Sequence, residues 1–167
     1  MRELIVFRHA KSSWDDPELE DIDRPLNARG KRDAPEMGQR LSKEGRVPDR
    51  ICCSPAHRAR ATAELLAPTF ALALDRILMI ESLYPGDPQD WLCTINALAD
   101  DDERVLLIGH NPGLTDTVNA LADEDIDNVP TAAYAAIALD SITWEGVEWG
   151  SGQLTRFDYP KSRKRIR

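Results

Sequence analysis

Four short apolar runs, each ending in a polar exit and separated by stretches with helical spacing, constrain this chain more than any other feature. Leu4-Ile5-Val6-Phe7 is apolar and uninterrupted, as in a strand buried on both faces. Comparable runs recur at 47–53, 76–80 and 105–108, and helical patterns span 29–44, 57–66, 88–99 and 113–122. Such alternation predicts right-handed crossovers and a parallel sheet covered by helices on both faces. Residues 133–139 and 153–159 also have strand character, and the Gly-, Trp- and Glu-rich stretch 141–152 between them predicts a hairpin or edge pair. The expected fold class is therefore α/β, a three-layer α/β/α sandwich around a mostly parallel central sheet.

The chain has 167 residues, 42% of them hydrophobic, which suits one shared core. With no internal repeat or linker, a single domain is expected over 1–160, followed by a basic tail over 161–167 that reads as a solvated terminus. A net charge of -8 argues against nucleic acid and anionic membrane surfaces as partners. No apolar run is long enough to cross a bilayer, and charges interrupt Met1-Arg2-Glu3-Leu4-Ile5-Val6-Phe7-Arg8 too early for a signal peptide, so a cytoplasmic monomer is expected. The 3 cysteines, with Cys52 and Cys53 adjacent, have the spacing of neither a disulfide framework nor a zinc site and read as reduced core thiols. The acidic stretch 14–23 reads as a solvated loop.

In a parallel sheet, residues just past the C-terminal ends of the strands gather at one edge, where ligands bind. The exits here are Arg8-His9-Ala10-Lys11-Ser12, Ser54-Pro55-Ala56-His57-Arg58-Ala59-Arg60, Glu81-Ser82-Leu83-Tyr84 and Gly109-His110-Asn111-Pro112-Gly113. Arg8, His9, Arg58 and His110 thus meet from three exits, a cationic group at helix mouths whose natural ligand is phosphate. A neutral imidazole can attack phosphorus, and the positive charge around it opposes its protonation. His9 is the better candidate nucleophile because Arg8 beside it is placed to orient a phosphoryl group. Ser12 is a candidate hydrogen-bond donor to that group, and Asn111 a candidate backbone donor where the fourth helix begins. Glu81, at the third exit, is the candidate general acid. Arg60 points away from Arg58 on a helix, and Trp14 and Tyr84 suit either the pocket mouth or the core. The turn at 109–113 lacks the multiple glycines of dinucleotide and P-loop sites, so no cofactor motif is present.

Phe7-Arg8-His9-Ala10-Lys11-Ser12, Ser54-Pro55-Ala56-His57-Arg58-Ala59-Arg60-Ala61-Thr62-Ala63 and Ile108-Gly109-His110-Asn111-Pro112-Gly113 resemble, in order and spacing, the signature segments of the histidine phosphatase (phosphoglycerate mutase-like) superfamily. The short length and Asp23-Arg24-Pro25-Leu26-Asn27-Ala28-Arg29-Gly30 are similar to its small SixA-type phosphohistidine phosphatase branch. The resemblance implies a phosphoglycerate mutase-like fold in which His9 is transiently phosphorylated and Arg8, Arg58 and His110 form the phosphate pocket. Water then releases phosphate, without a metal or other cofactor. Ala10 stands where the family usually has glycine, which bears on the conformation of the loop after the first strand.

The departing group decides the substrate. A phosphomonoester leaves as an alkoxide and benefits from a carboxylic acid, whereas phosphohistidine leaves as an imidazole that needs less help. The segment at Glu81 only loosely resembles the acid-bearing segment of the mutase-like branches, and the chain length leaves little for a lid over the pocket. An open site suits a phosphorylated side chain on a protein. The expected function is hydrolysis of protein phosphohistidine. A small-molecule phosphomonoesterase or mutase of the same superfamily and a non-catalytic phosphate-recognition module stand as alternatives.

Overall fold

The computed structural model describes residues 1–162. Six strands, β1 (Arg2–Arg8), β2 (Arg50–Cys53), β3 (Ile77–Met79), β4 (Arg104–Gly109), β5 (Tyr134–Leu139) and β6 (Gly152–Asp158), form one sheet in the order β3-β2-β4-β1-β5-β6. Four helices connect them: α1 (Ala28–Lys43), α2 (His57–Leu66), α3 (Pro88–Asn96) and α4 (Gly113–Ala122). The first four strands pair in parallel, while β5 runs antiparallel to both β1 and β6. The α/β sandwich with a mostly parallel sheet is therefore as expected, and 141–152 joins an antiparallel edge pair.

Alternation along the strands divides the core into two layers. Leu4, Val6, Val105 and Leu107 face Trp91 and Ile95 of α3 and Leu114 and Val118 of α4. Ile5, Phe7, Leu106 and Ile108 face Ala34, Met37 and Leu41 of α1 and Ala59, Ala63 and Leu66 of α2. β1 and β4 are hidden on both faces, which is why they read as unbroken apolar runs. Cys52 and Cys53 point into opposite layers, and burial pushes each thiol up to about 12. Cys93 departs from the expected pattern and is exposed on α3.

Short 3-10 turns at Asp21–Asp23 and Glu81–Leu83 lie in the connections nearest the strand exits, where plain loops were expected. At the other end of the chain, Arg40 of α1 donates to the carbonyls of Tyr159 and Pro160 at 3.0 Å, so Lys161 and Ser162 continue a docked 3-10 turn rather than a loose tail. The rest of the basic tail, 163–167, lies outside the described residues. Among the described residues no helix is long and apolar enough to cross a membrane.

Candidate active site

Strand register brings the exits level. Arg8 pairs with Gly109, the His9 N–H donates to the Gly109 carbonyl at 3.3 Å, and the Ser54 N–H donates to the Ile108 carbonyl at 3.0 Å. Arg58 is the second residue of α2, and α4 begins four residues after Gly109. Two glycines permit the close approach of neighbouring segments. A Cβ on Gly30 would lie 2.2 Å from the Lys11 carbonyl oxygen, and one on Gly113 would lie 1.9 Å from that of Gly86.

His9 is almost fully buried, and its Nδ1 lies 2.8 Å from the Ala10 carbonyl oxygen. A carbonyl only accepts, so Nδ1 carries the proton and Nε2 keeps its lone pair. Burial first, then the charges of His110, Arg58 and Arg8, lower the His9 pKa to about 3, against the opposing pull of the Ala10 bond. The ring centroids of His9 and His110 are 5.0 Å apart. His110 Nε2 lies 2.7 Å from Ser54 Oγ, which itself accepts the Ala56 N–H at 3.1 Å. The Ser54 hydroxyl hydrogen is free to point at Nε2, and in that arrangement the His110 proton sits on Nδ1, a buried atom with no partner among the described residues. Burial, followed by Arg58, lowers the His110 pKa to about 4.

The two arginines are held from outside the pocket. Arg8 donates through Nη1 to the Val129 carbonyl at 3.0 Å, and its buried Nε has no partner among the described residues. Arg58 donates to the Asp21 carbonyl at 2.6 Å and to Asp21 Oδ2 at 3.0 Å. Asp21 also accepts from Tyr84 Oη at 2.6 Å and from Arg24 Nη1 at 3.0 Å. The Tyr84 bond, with those of Arg24 and Arg58, holds the Asp21 carboxyl well below the usual carboxylate range. The acidic stretch is thus more than a solvated loop. Arg24 continues the chain of contacts to the Ser13 carbonyl at 3.1 Å and to the Ser12 hydroxyl, and its guanidinium stacks 3.3 Å above the Trp14 ring.

Together Arg8, His9, Lys11, Ser12, Trp14, Arg24, Arg58, His110, Asn111 and Thr131 line a cavity of about 350 Å³. The four cationic-pocket residues expected from the strand exits lie in it, as do Ser12 and Asn111. The Ser12 hydroxyl accepts from Arg24, which leaves its own hydrogen free to donate. Asn111 acts through its side chain, donating to Asn128 Oδ1 at 2.9 Å and to the Val129 carbonyl at 3.1 Å, while its own Oδ1 accepts from Thr115. Glu81 is not brought into the cavity. It is exposed at the start of a 3-10 turn after β3, the outermost parallel strand, and that turn instead carries Tyr84 to Asp21.

Arg60 is exposed, as expected for its place on α2. Ala10 takes no left-handed backbone; it is buried with its N–H donated to Thr62 Oγ1 at 3.0 Å, so the loop needs no glycine there. Asp21, Arg24, Ser54 and Thr131 are additions that strand exits alone did not single out, although Arg24 sits in a recognisable segment. A larger hollow, about 460 Å³, lies between β3 and α3, but it is lined mainly by apolar groups such as Leu78, Ile80 and Leu98. Among the described residues no three His, Cys, Asp or Glu side chains converge where they could hold a metal ion.

Residues 4–78 match the model of the histidine phosphatase superfamily (branch 1). An uncharacterized protein of Mycobacterium tuberculosis is 33% identical over 165 residues, which cover 93% of this chain and 100% of that protein. The structure of the Agrobacterium tumefaciens protein assigned as the phosphohistidine phosphatase SixA is 26% identical, with a TM-score of 0.81 over 95% of this chain and 98% of that one. The protein histidine phosphatase SixA complexed with tungstate is 25% identical, with a TM-score of 0.80 over 95% and 97% of the two chains. The chain belongs to the histidine phosphatase superfamily, and within it to the SixA type.

Proposed function

We propose that this phosphatase hydrolyses phosphohistidine on a protein through a phosphorylated His9. The observation that carries the reading is the state of His9: a neutral ring with Nδ1–H fixed on Ala10, set in a cavity lined by arginine and histidine with no carboxylate lining it among the described residues. The Nε2 lone pair of His9 forms a bond to phosphorus. The bond between phosphorus and the substrate imidazole breaks, and its electron pair stays on that nitrogen, which gains a proton from solvent. Arg8, Arg58 and the His110 Nδ1–H balance the charge on the phosphoryl oxygens. Water then attacks phosphorus, the P–Nε2 bond returns its pair to His9, and inorganic phosphate leaves.

The acidic groups near the site support this leaving group. Asp21 is held ionised by its three partners and has no proton to give, and Glu81 does not line the cavity. An alkoxide would depart without an acid, whereas an imidazole is a good leaving group once protonated. Because guanidinium groups meet the phosphoryl charge, the proposed reaction needs no metal, and activity is expected to persist in excess chelator.

The test is a phosphohistidine-bearing carrier protein against a panel of sugar phosphates, with the enzyme quenched without acid and its phosphate mapped. The expected result is preference for the carrier, phosphate on His9, and loss of about a thousandfold or more of the activity in His9→Ala. Phosphate on another residue overturns the mechanism. Preference for the sugar phosphates by orders of magnitude overturns the substrate class in favour of a small-molecule phosphatase.

A further inference from the structure

The cationic cavity opens between acidic flanks. On one side, Trp14 and Arg24 line the cavity and Asp21 is bonded to Arg58, so both ends of the loop between them are tied to the site. Asp16, Glu18 and Glu20, all exposed, lie on the span between those anchors. On the other side an adjoining hollow of about 320 Å³ shares Asn111 with the cavity and is lined by Pro85, Pro88 and Pro112 together with two exposed carboxylates, Asp87 and Asp116. Asp87 uses one oxygen to cap α3, accepting the Asp90 N–H at 2.8 Å.

These carboxylates do not stand alone. They border a cavity in which the buried Nδ1 of His110 and Nε of Arg8 have no partner among the described residues, donors that a phosphoryl group would satisfy. A site built for a free small anion would carry its positive charge outward to the mouth, because a long-range field steers its ligand. Here both flanks carry exposed carboxylates, in keeping with the chain's net charge of -8. A phosphoryl group therefore arrives more readily on a carrier whose own surface is positive.

We infer that the flanks form a docking surface for a basic protein face, one that presents lysine or arginine beside its phosphorylated residue. The Pro-lined hollow with Asp87 and Asp116 receives one such side chain while the cavity takes the phosphoryl group. The inference rests on the reading of the cavity as a phosphotransfer site for a protein substrate.

Two peptides of equal length, each with one phosphohistidine and flanked by lysines or by glutamates, test it. At low salt kcat/KM for the lysine peptide is expected to exceed that for the glutamate peptide by about tenfold or more. The ratio shrinks in about 0.5 M NaCl, where exposed charges are screened. It falls toward one or inverts in the triple variant Glu18→Lys, Glu20→Lys, Asp116→Lys, with turnover of phosphoramidate, a small P–N substrate, reporting that the variant is folded. Equal kcat/KM for the two peptides at low salt, or a ratio unchanged in the triple variant, overturns the inference. If neither peptide turns over while para-nitrophenyl phosphate does, the phosphohistidine reading fails instead, and the same pair built on phosphoserine then decides the docking surface.

Discussion

His9 and His110 sit in surroundings that oppose their protonation, with pKa values lowered to about 3 and about 4 from an ordinary 6.5. Between those values and 6.5 the unfolded chain binds protons that the folded chain does not, so acidification favours unfolding. Stability is therefore expected to fall as pH drops from about 6.5 toward 4, and to fall less in a His9→Asn, His110→Asn double variant. Thermal melts across that range check it; parallel curves for the two proteins would show that the histidines are not held neutral. Asp21 is bonded to Arg58, one of the two guanidinium groups proposed to meet the phosphoryl group. It occupies one edge of that guanidinium and leaves other donors of the five for a phosphoryl group. Asp21→Asn is expected to raise KM about tenfold with a smaller change in kcat, as loss of a charge-assisted bond to a group proposed to hold phosphate implies. Equal loss in both, with a lowered melting temperature, would mark Asp21 as merely structural. Arg8, His9, Arg58 and His110 were readable because each follows an apolar run or opens a helix. Asp21 was not: two of its three partners lie 37 and 63 positions away at Arg58 and Tyr84, and dense acidic runs usually stay wet.

At the scale of elements, the alternation of strand and helix was readable almost throughout because both faces of the central strands are buried. The helices over 57–66 and 113–122 end where the spacing places them. The 88–99 pattern overran α3, which stops at Asn96, and the 47–53 run overstated β2, which begins at Arg50. The short 3-10 turns were not readable, since three residues carry no periodicity. That blind spot matters at Glu81. A simple exit from β3 would aim it at the cavity, but the turn over Glu81–Leu83 buries Leu83 and hands the site-facing role to Tyr84, whose ring edge lies against His110 at 5.4 Å between centroids. Glu81→Gln is accordingly expected to change kcat/KM for a phosphohistidine substrate by less than about twofold, in keeping with an exposed position away from the reacting atoms. Steady-state kinetics on the folded variant decide the matter, and a drop of a hundredfold would restore Glu81 as the acid.

Across the whole molecule, the two edges of the sheet divide the work. The C-terminal edge collects Arg8 and Arg58 and leaves buried donors of Arg8 and His110 without a partner among the described residues, an arrangement that costs stability. At the N-terminal edge cations meet carboxylates instead. Asp102, 3% exposed, accepts from Arg50 Nε at 2.7 Å and from Arg76 Nη2 at 3.1 Å, and its carbonyl accepts from Trp144 Nε1 at 2.7 Å and Arg2 Nη1 at 3.0 Å. Glu3 accepts from Arg104 Nε at 2.7 Å along the same edge. Removing the Asp102 carboxylate strands the guanidinium of Arg50, which is largely shielded from water, so the loss falls on stability rather than chemistry. Asp102→Ala is expected to lower unfolding free energy by about 2 to 3 kcal/mol while leaving kcat within about twofold below its melting range. Asp21→Asn should show the converse, a larger loss of activity than of stability. Denaturant melts and kinetics on both variants test the division together: comparable losses of activity at the two edges would mean that the sheet transmits strain from one to the other, and that the site is not held by its own edge alone.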